Sequence, residues 1–241
     1  MKPELAVIGY GRFGRFAAHH LKKYFRVYVA DTRKGIRIER GIVRVTLEEA
    51  AAHNVILLAT PINKLQPVLR KISPLVKKGA LICDVCSVKE KPIRWMKEIL
   101  PSYVSILGAH PLFGPDSASK SVRGNHLILC PVRISSRELK PIERYAKKAG
   151  LHVHTMSASG HDALMASTLF LTQFIGHGLH RLPMLQTDIA TNNFRLLRHV
   201  AATTANDTLE LFQDMYRYNR FTKIIPDQIV KRFERLRKAI Q

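Results

Sequence analysis

The apolar positions of this chain fall into two regimes. Through about residue 155, short apolar runs alternate with longer stretches in which apolar residues recur every three or four positions. Glu4–Ile8, Arg26–Ala30, Val55–Ala59, Ala80–Val85, Val104–Leu107 and His126–Cys130 are the short runs expected of strands buried on both faces. Between them Arg12–Tyr24, Leu47–His53, Ile62–Lys77, Lys89–Leu100 and Ser136–Ala149 have helical spacing. Such alternation predicts an α/β fold with a doubly wound parallel sheet. Beyond Met156 no strand-like run remains, and Leu164, Thr168, Leu171 and Ile175 mark the apolar face of a helix. Pro183 and Pro226 are the predicted helix breaks. The expected organisation is an α/β domain over residues 1–156 and an all-helical domain over 157–241.

Composition narrows the class. With 46% hydrophobic and 24% charged residues in 241, a packed core is expected. No apolar run approaches the roughly 18 residues of a membrane span. The short run Leu5–Ile8 leads straight into glycines, unlike a signal peptide. Three cysteines, Cys83, Cys86 and Cys130, suit a reducing cytoplasm better than a disulfide framework. Cys83 and Cys86 have the spacing of half a zinc site, but no second pair follows, so no metal is expected. Thirty-nine Lys and Arg against eighteen acids give a net charge of +21. These cations are spread along the whole chain, without the aromatic signature of an RNA-binding module. A basic field also suits anionic small molecules, and the plainest reading is a solvated cationic surface; neither nucleic acid nor a membrane is the expected partner. The helical domain is too small to bury its own apolar faces, which predicts a homodimer.

Directly after the first strand comes Gly9-Tyr10-Gly11-Arg12-Phe13-Gly14, and Asp31 ends the next strand. A Gly-x-Gly-x-x-Gly that follows a strand and opens a helix is a dinucleotide-binding fingerprint. Gly9 permits the turn, Gly11 admits the pyrophosphate, Gly14 lets strand and helix approach, and Arg12 and Phe13 lie within the turn. Asp31 suits the ribose hydroxyls of NAD, while Thr32 and Arg33, followed by Lys34, suit the extra phosphate of NADP. The balance favours NAD. Thr60 and Pro61 end the third strand and are expected near the nicotinamide ribose.

Two further stretches lie at strand ends, where open α/β sheets bind ligands. They are Asp84-Val-Cys-Ser-Val-Lys89 and Gly108-Ala-His-Pro-Leu-Phe-Gly-Pro115. A histidine such as His110 in that position can accept a proton near neutral pH. Read alone, His110 is equally a structural or surface histidine, and Ser87 alone is more often an N-cap for the helix from Val88. The glycine motif, Asp84–Lys89, His110–Ser117 and Gly160-His161-Asp162, in this order, resemble the prephenate/arogenate dehydrogenase family. The resemblance covers nearly the whole chain, and His110–Ser117 is its most specific part.

It implies a Rossmann-type domain followed by a helical one, and an oxidative decarboxylation that completes the tyrosine ring. Hydride leaves ring carbon C4 for NAD or NADP, while His110 takes the C4 hydroxyl proton. Ser87 orients His110 or bonds the same hydroxyl. Many bacterial members carry Ser-His-Leu-Pro-His where this chain has Ala166-Ser-Thr-Leu-Phe170, so that substrate or tyrosine contact is missing. Asn206–Phe212 and Tyr218-Asn219 look instead like the plant branch. In that branch Asp207 matches an acid that suits the ammonium of arogenate; its other reading is an N-cap for a helix near Thr208. Arg195 is either a carboxylate anchor or a surface arginine. Two other readings compete. One is a two-domain hydroxy-acid dehydrogenase or imine reductase using His161-Asp162 or Lys223, and the other is a basic cofactor sensor or nucleic-acid binder.

Overall fold

Eight strands of the first part of the chain share one sheet: β1 (Glu4–Ile8), β2 (Arg26–Ala30), β3 (Ile42–Arg44), β4 (Val55–Leu58), β5 (Leu81–Asp84), β6 (Ser105–Pro111), β7 (His126–Arg133) and β8 (His152–Thr155). Their order is 3-2-1-4-5-6-7-8. The computed structural model describes residues 1–180, 182, 187 and 189–241. These divide into two units, Met1–His161 and Asp162–Gln241.

Strands β1 to β6 run parallel, as the apolar runs predict. The sheet departs from this direction at β7, which is antiparallel to β6, and β8 then runs parallel to β7. The connection Leu112–Asn125 explains the reversal, since it holds only the four-residue α5 (Pro115–Ala118) and no full crossover helix. The other helices of this unit are α1 (Arg12–Leu21), α2 (Leu47–Ala51), α3 (Ile62–Ile72), α4 (Glu90–Ile99) and α6 (Ser136–Lys148). The core lies in the sheet centre, where Ala6, Val7, Val27, Val29, Ile56, Leu58, Ile82 and Ile106 are fully buried. Thr46 and Ser135 start α2 and α6 with capping boxes, each paired with the glutamate three residues on.

Beyond the sheet, α7 (Ala158–Met165) continues through a π-helical stretch, Ala166–Phe170, into α8 (Leu171–His180). Then come α9 (Asn192–Thr204), α10 (Leu209–Tyr218), a 3-10 turn (Arg220–Thr222) and α11 (Ile225–Ala239). Pro226 sits in the first turn of α11, as expected of a break; Pro183 lies outside the described residues. The expected apolar face is wrong: Leu164 is 43% exposed and Thr168 is exposed, whereas Met165, Ala166, Phe170, Gln173 and Gly176 are buried. The π turn carries one extra residue and rotates the second half of the helix against the first. Phe170 thereby stacks on Phe212, with ring centroids 5.3 Å apart. A Cβ on Gly176 would lie 2.3 Å from Thr204 Oγ1, so only glycine lets α8 and α9 pack this closely. No helix among the described residues is long and apolar enough to cross a membrane.

Candidate active site

From β1 the chain builds outward to β2 and β3, then returns to place β4 on the other side of β1. Such a switch point opens a crevice at the C-terminal strand ends. Here it is a cleft of about 980 Å³ lined by Gly9, Gly11, Asp31, Thr32, Arg33, Thr60 and Pro61, among others. The glycine turn is built as the fingerprint requires. Gly9 has φ +100, and a Cβ there would lie 2.5 Å from the Ala59 carbonyl oxygen. A Cβ on Gly14 would meet the Gly9 oxygen at 2.0 Å, while one on Gly11 would meet nothing within 4 Å. That open space is where a pyrophosphate would approach the backbone. Helix α1 has no side-chain cap and no acid in its first turn, which leaves its leading N–H groups for an anion. The site therefore fits a dinucleotide. Arg12 and Phe13 contribute backbone to the turn, because their side chains go elsewhere. Arg12 donates to both oxygens of Asp116 (2.9 and 2.7 Å), and Phe13 packs on Phe16.

At the end of β2, Asp31 is already engaged. Its carboxylate accepts the Tyr10 N–H at 2.7 Å and the Arg33 N–H at 2.9 Å, and Arg33 Nε and Nη2 each donate at 2.8 Å. The Arg33 guanidinium holds the carboxyl well below the usual carboxylate range, so it stays charged. Thr60 presents a buried hydroxyl without a protein partner at the same cleft.

Ser87 and His110 follow at the C-terminal edges of β5 and β6, which pair up to Asp84–Gly108. Strands are about 4.8 Å apart, so β1, β4, β5 and β6 spread these groups over roughly 14 Å of one sheet edge. His110 is 7% exposed, and its Nδ1 lies 2.8 Å from Nε2 of the fully buried His161. Burial, then His161 and Lys89, push the His110 pKa well below its ordinary 6.5. It is therefore a neutral imidazole near pH 7, fit to accept a proton. Ser87 does not cap a helix: α4 begins at Glu90, its N-cap position is Lys89, and Ser87 Oγ is buried without a partner.

In the second unit Asp207 accepts a hydrogen bond from Gln173 Nε2 at 2.7 Å. It is not the cap of α10, since Thr208 fills that position by accepting the Leu211 N–H. Asn219 Nδ2 donates to the Asp162 carbonyl at 2.7 Å. Arg195 is exposed on α9. The Lys223 ammonium sits 3.9 Å from the Tyr216 ring centroid and donates to the Tyr216 carbonyl, which ties it down locally. The three cysteines are buried and form no disulfide, and burial pushes the Cys83 thiol up to about 12. No metal-binding cluster exists among the described residues.

Two residues carry more of the site than their motifs disclose. His161 stands in Gly160-His161-Asp162, and Lys89 closes Asp84–Lys89, but nothing in a motif says that one bonds His110 and the other a buried Asp84. The available signals are a lysine closing the strand-end motif Asp84–Lys89 and a histidine in Gly160-His161-Asp162 on α7.

The model of the prephenate dehydrogenase nucleotide-binding domain matches residues 20–155, and that of the TYRAAT1-like C-terminal domain matches 179–241. The chain is 28% identical to arogenate dehydrogenase 1, chloroplastic, of Arabidopsis thaliana, over 98% of its own length and 39% of the relative's. With arogenate dehydrogenase 2, chloroplastic, of the same plant the figures are 27%, 98% and 70%. The chain thus spans about two-fifths of the first of these relatives. Among solved structures, prephenate dehydrogenase from A. aeolicus in complex with hydroxyphenyl propionate and NAD+ superposes with a TM-score of 0.76 at 19% identity, covering 100% of this chain and 91% of that one. Synechocystis arogenate dehydrogenase does so at 0.69 and 20%, covering 98% and 91%.

Proposed function

With the nucleotide-binding model spanning more than half its length, the chain belongs to the prephenate dehydrogenase family, and we propose that it oxidatively decarboxylates arogenate in preference to prephenate. The observation that carries this reading is the buried His110–His161 pair at the sheet edge that also bears the dinucleotide cleft. A nicotinamide cofactor held by the Gly9–Gly14 turn and Asp31 would supply the hydride acceptor. In the tautomer in which the neutral His110 donates Nδ1–H to His161, its Nε2 lone pair is kept for the ring hydroxyl of the substrate. The hydroxyl proton passes to Nε2 as hydride leaves the same ring carbon. Loss of carbon dioxide returns an electron pair to the ring oxygen, which takes the proton back as the ring becomes aromatic. Ser87, whose hydroxyl has no protein partner, bonds the same oxygen.

NAD is the proposed cofactor. Asp31 carries a fixed negative charge at the ribose end of the cleft, and Arg33 is committed to it rather than to a 2′-phosphate. For the substrate, the Asp207 side chain suits the ammonium of arogenate and offers nothing to the ketone of prephenate. The names of the two Arabidopsis relatives agree with that choice. Arg195, an exposed residue of α9, is the proposed carboxylate anchor, because the planar donor fork of an arginine matches a carboxylate. We further propose a homodimer: no residue of α11 is buried within one chain, and Phe233, Leu236 and Ile240 are 60%, 58% and 77% exposed. Three cysteines outside any disulfide support a cytoplasmic location, although the Arabidopsis relatives are chloroplastic. The test is cofactor reduction measured with arogenate and with prephenate, each with NAD and NADP. Reduction by neither substrate would sink the reading.

A further inference from the structure

The chemistry of the strand edge leaves a buried charged pair without a role. Lys89 and Asp84 are both fully buried and hydrogen-bonded to each other. Burial alone would push the Lys89 pKa down, and the Asp84 carboxylate more than offsets it, so Lys89 keeps its proton. The same ammonium donates to the carbonyl of Ala109 at 2.7 Å. Strand pairing explains why that bond matters. β5 ends at Asp84, opposite Gly108, and β6 runs on through Ala109, His110 and Pro111 without a β5 residue beside it. Lys89 reaches across where the ladder stops. It passes close over Gly108, where a Cβ would lie 3.2 Å from Lys89 Cδ and 2.8 Å from Ile93 Cδ1.

We propose that Lys89, anchored by Asp84, is a positioning residue that holds the end of β6 and so sets both the place and the charge state of His110. A buried ion pair is a costly way to gain stability, because desolvation offsets most of the attraction. An ammonium that bonds the peptide next to the proton acceptor does what a packed apolar pair would not. It fixes the strand end, and it places a positive charge that disfavours protonation of His110. The titratable and charged groups facing His110 are His161 from α7 and Lys89 from the β5–α4 loop, with Asp84 behind Lys89.

The proposal rests on the role given to His110, so its test has an arm that needs no turnover. Lys89→Met alone strands the Asp84 charge and can unfold the protein. Asp84→Asn/Lys89→Met removes both charges at once, and Lys89→Arg retains the cation. In the folded double variant, histidine NMR titration should show the His110 pKa displaced upward. In the turnover arm, kcat should fall about ten- to a hundredfold, as expected of a misplaced catalytic group, with cofactor affinity kept. The acid limb of kcat/KM should move to higher pH, and Lys89→Arg should recover part of both effects. A folded double variant with an unmoved His110 titration would overturn the proposal, whether or not arogenate or prephenate is turned over. A wild-type protein inactive on both substrates but with a displaced titration in the double variant would overturn only the assigned reaction.

Discussion

Gly11 and Gly14 lie three residues apart in one turn, and alanine at the two positions should have opposite consequences. At Gly14 the new Cβ would sit 2.0 Å from the Gly9 carbonyl oxygen. Ordinary contact is above about 3 Å, and the obstacle is backbone, so the α1–β1 packing has to open. Overpacking of this kind costs about 1–3 kcal/mol, or roughly 2–12 °C in Tm for a chain of this length. At Gly11 the Cβ meets nothing within 4 Å, and φ −68 is open to alanine. The fold should therefore be unchanged to within a few tenths of a kcal/mol, since Gly and Ala differ little there once unfolded-state entropy is counted. The methyl group instead occupies the approach to the α1 N-terminus. Losing one charge-assisted bond to a phosphate costs roughly 1.5–3 kcal/mol, which is about a ten- to hundredfold weaker Kd. Thermal melting without ligand and calorimetric titration with NAD separate the two effects. Gly11→Ala with unchanged affinity, or Gly14→Ala with an unchanged melting point, would refute the reasoning.

Other expectations follow from the same site. His110→Gln should keep cofactor affinity and lose turnover by about 10²–10⁴-fold, the usual contribution of a positioned base, as steady-state kinetics would read. Because His110 is buried with a folded pKa below its unfolded value of about 6.5, the unfolded chain gains a proton there first as pH falls. Stability should then decline below pH 6.5 by up to ~1.4 kcal/mol per pH unit, and denaturant melts of His110→Gln should lack that part of the slope. Asp207→Asn should lower arogenate use about ten- to a hundredfold and raise prephenate use; equal loss on both substrates would restrict Asp207 to its bond with Gln173. Asp31→Ser should weaken NAD and free Arg33 for a 2′-phosphate, so a variant that still prefers NAD in a side-by-side titration would remove Asp31 from cofactor choice.

The parts of the fold legible in the sequence are those whose burial is two-sided. β1 and β2 are read to the residue because their apolar runs are bounded by glycine, arginine and aspartate. β3 escapes notice because only Ile42 of its three residues is buried, and β8 because His152-Val-His-Thr155 is an exposed edge strand with no apolar signal. Direction is not written in an apolar run at all, so the reversal at β7 had to come from the short connection before it. In the helical unit the π turn breaks the periodicity that any helical reading assumes, which is why regular spacing puts Leu164 and Thr168 on the wrong face. For the site, the glycine turn, Asp31, Ser87 and His110 are recognisable from local order. The bonds from His161 to His110, across 51 residues, and from Lys89 to Ala109, across 20, depend on strands meeting in space. The engagement of Asp31 by Arg33 depends on a side-chain conformation that spacing does not specify.

The missing cap on α1 ties the protein's survival to its surroundings. α2 and α6 close their own first turns with side chains, whereas α1, the helix that carries the glycine turn, waits for an outside anion to do so. A cap of that kind is typically worth about 1 kcal/mol, and without one the leading turn of α1 should exchange its amide hydrogens quickly. A bound dinucleotide would protect that turn and stabilise the whole unit by RT ln(1 + [L]/Kd), about 2.7 kcal/mol at a hundredfold excess over Kd. In a cell the lifetime of this protein would then rise and fall with the pool of its cofactor, so that its abundance would register the nicotinamide supply before any substrate arrived.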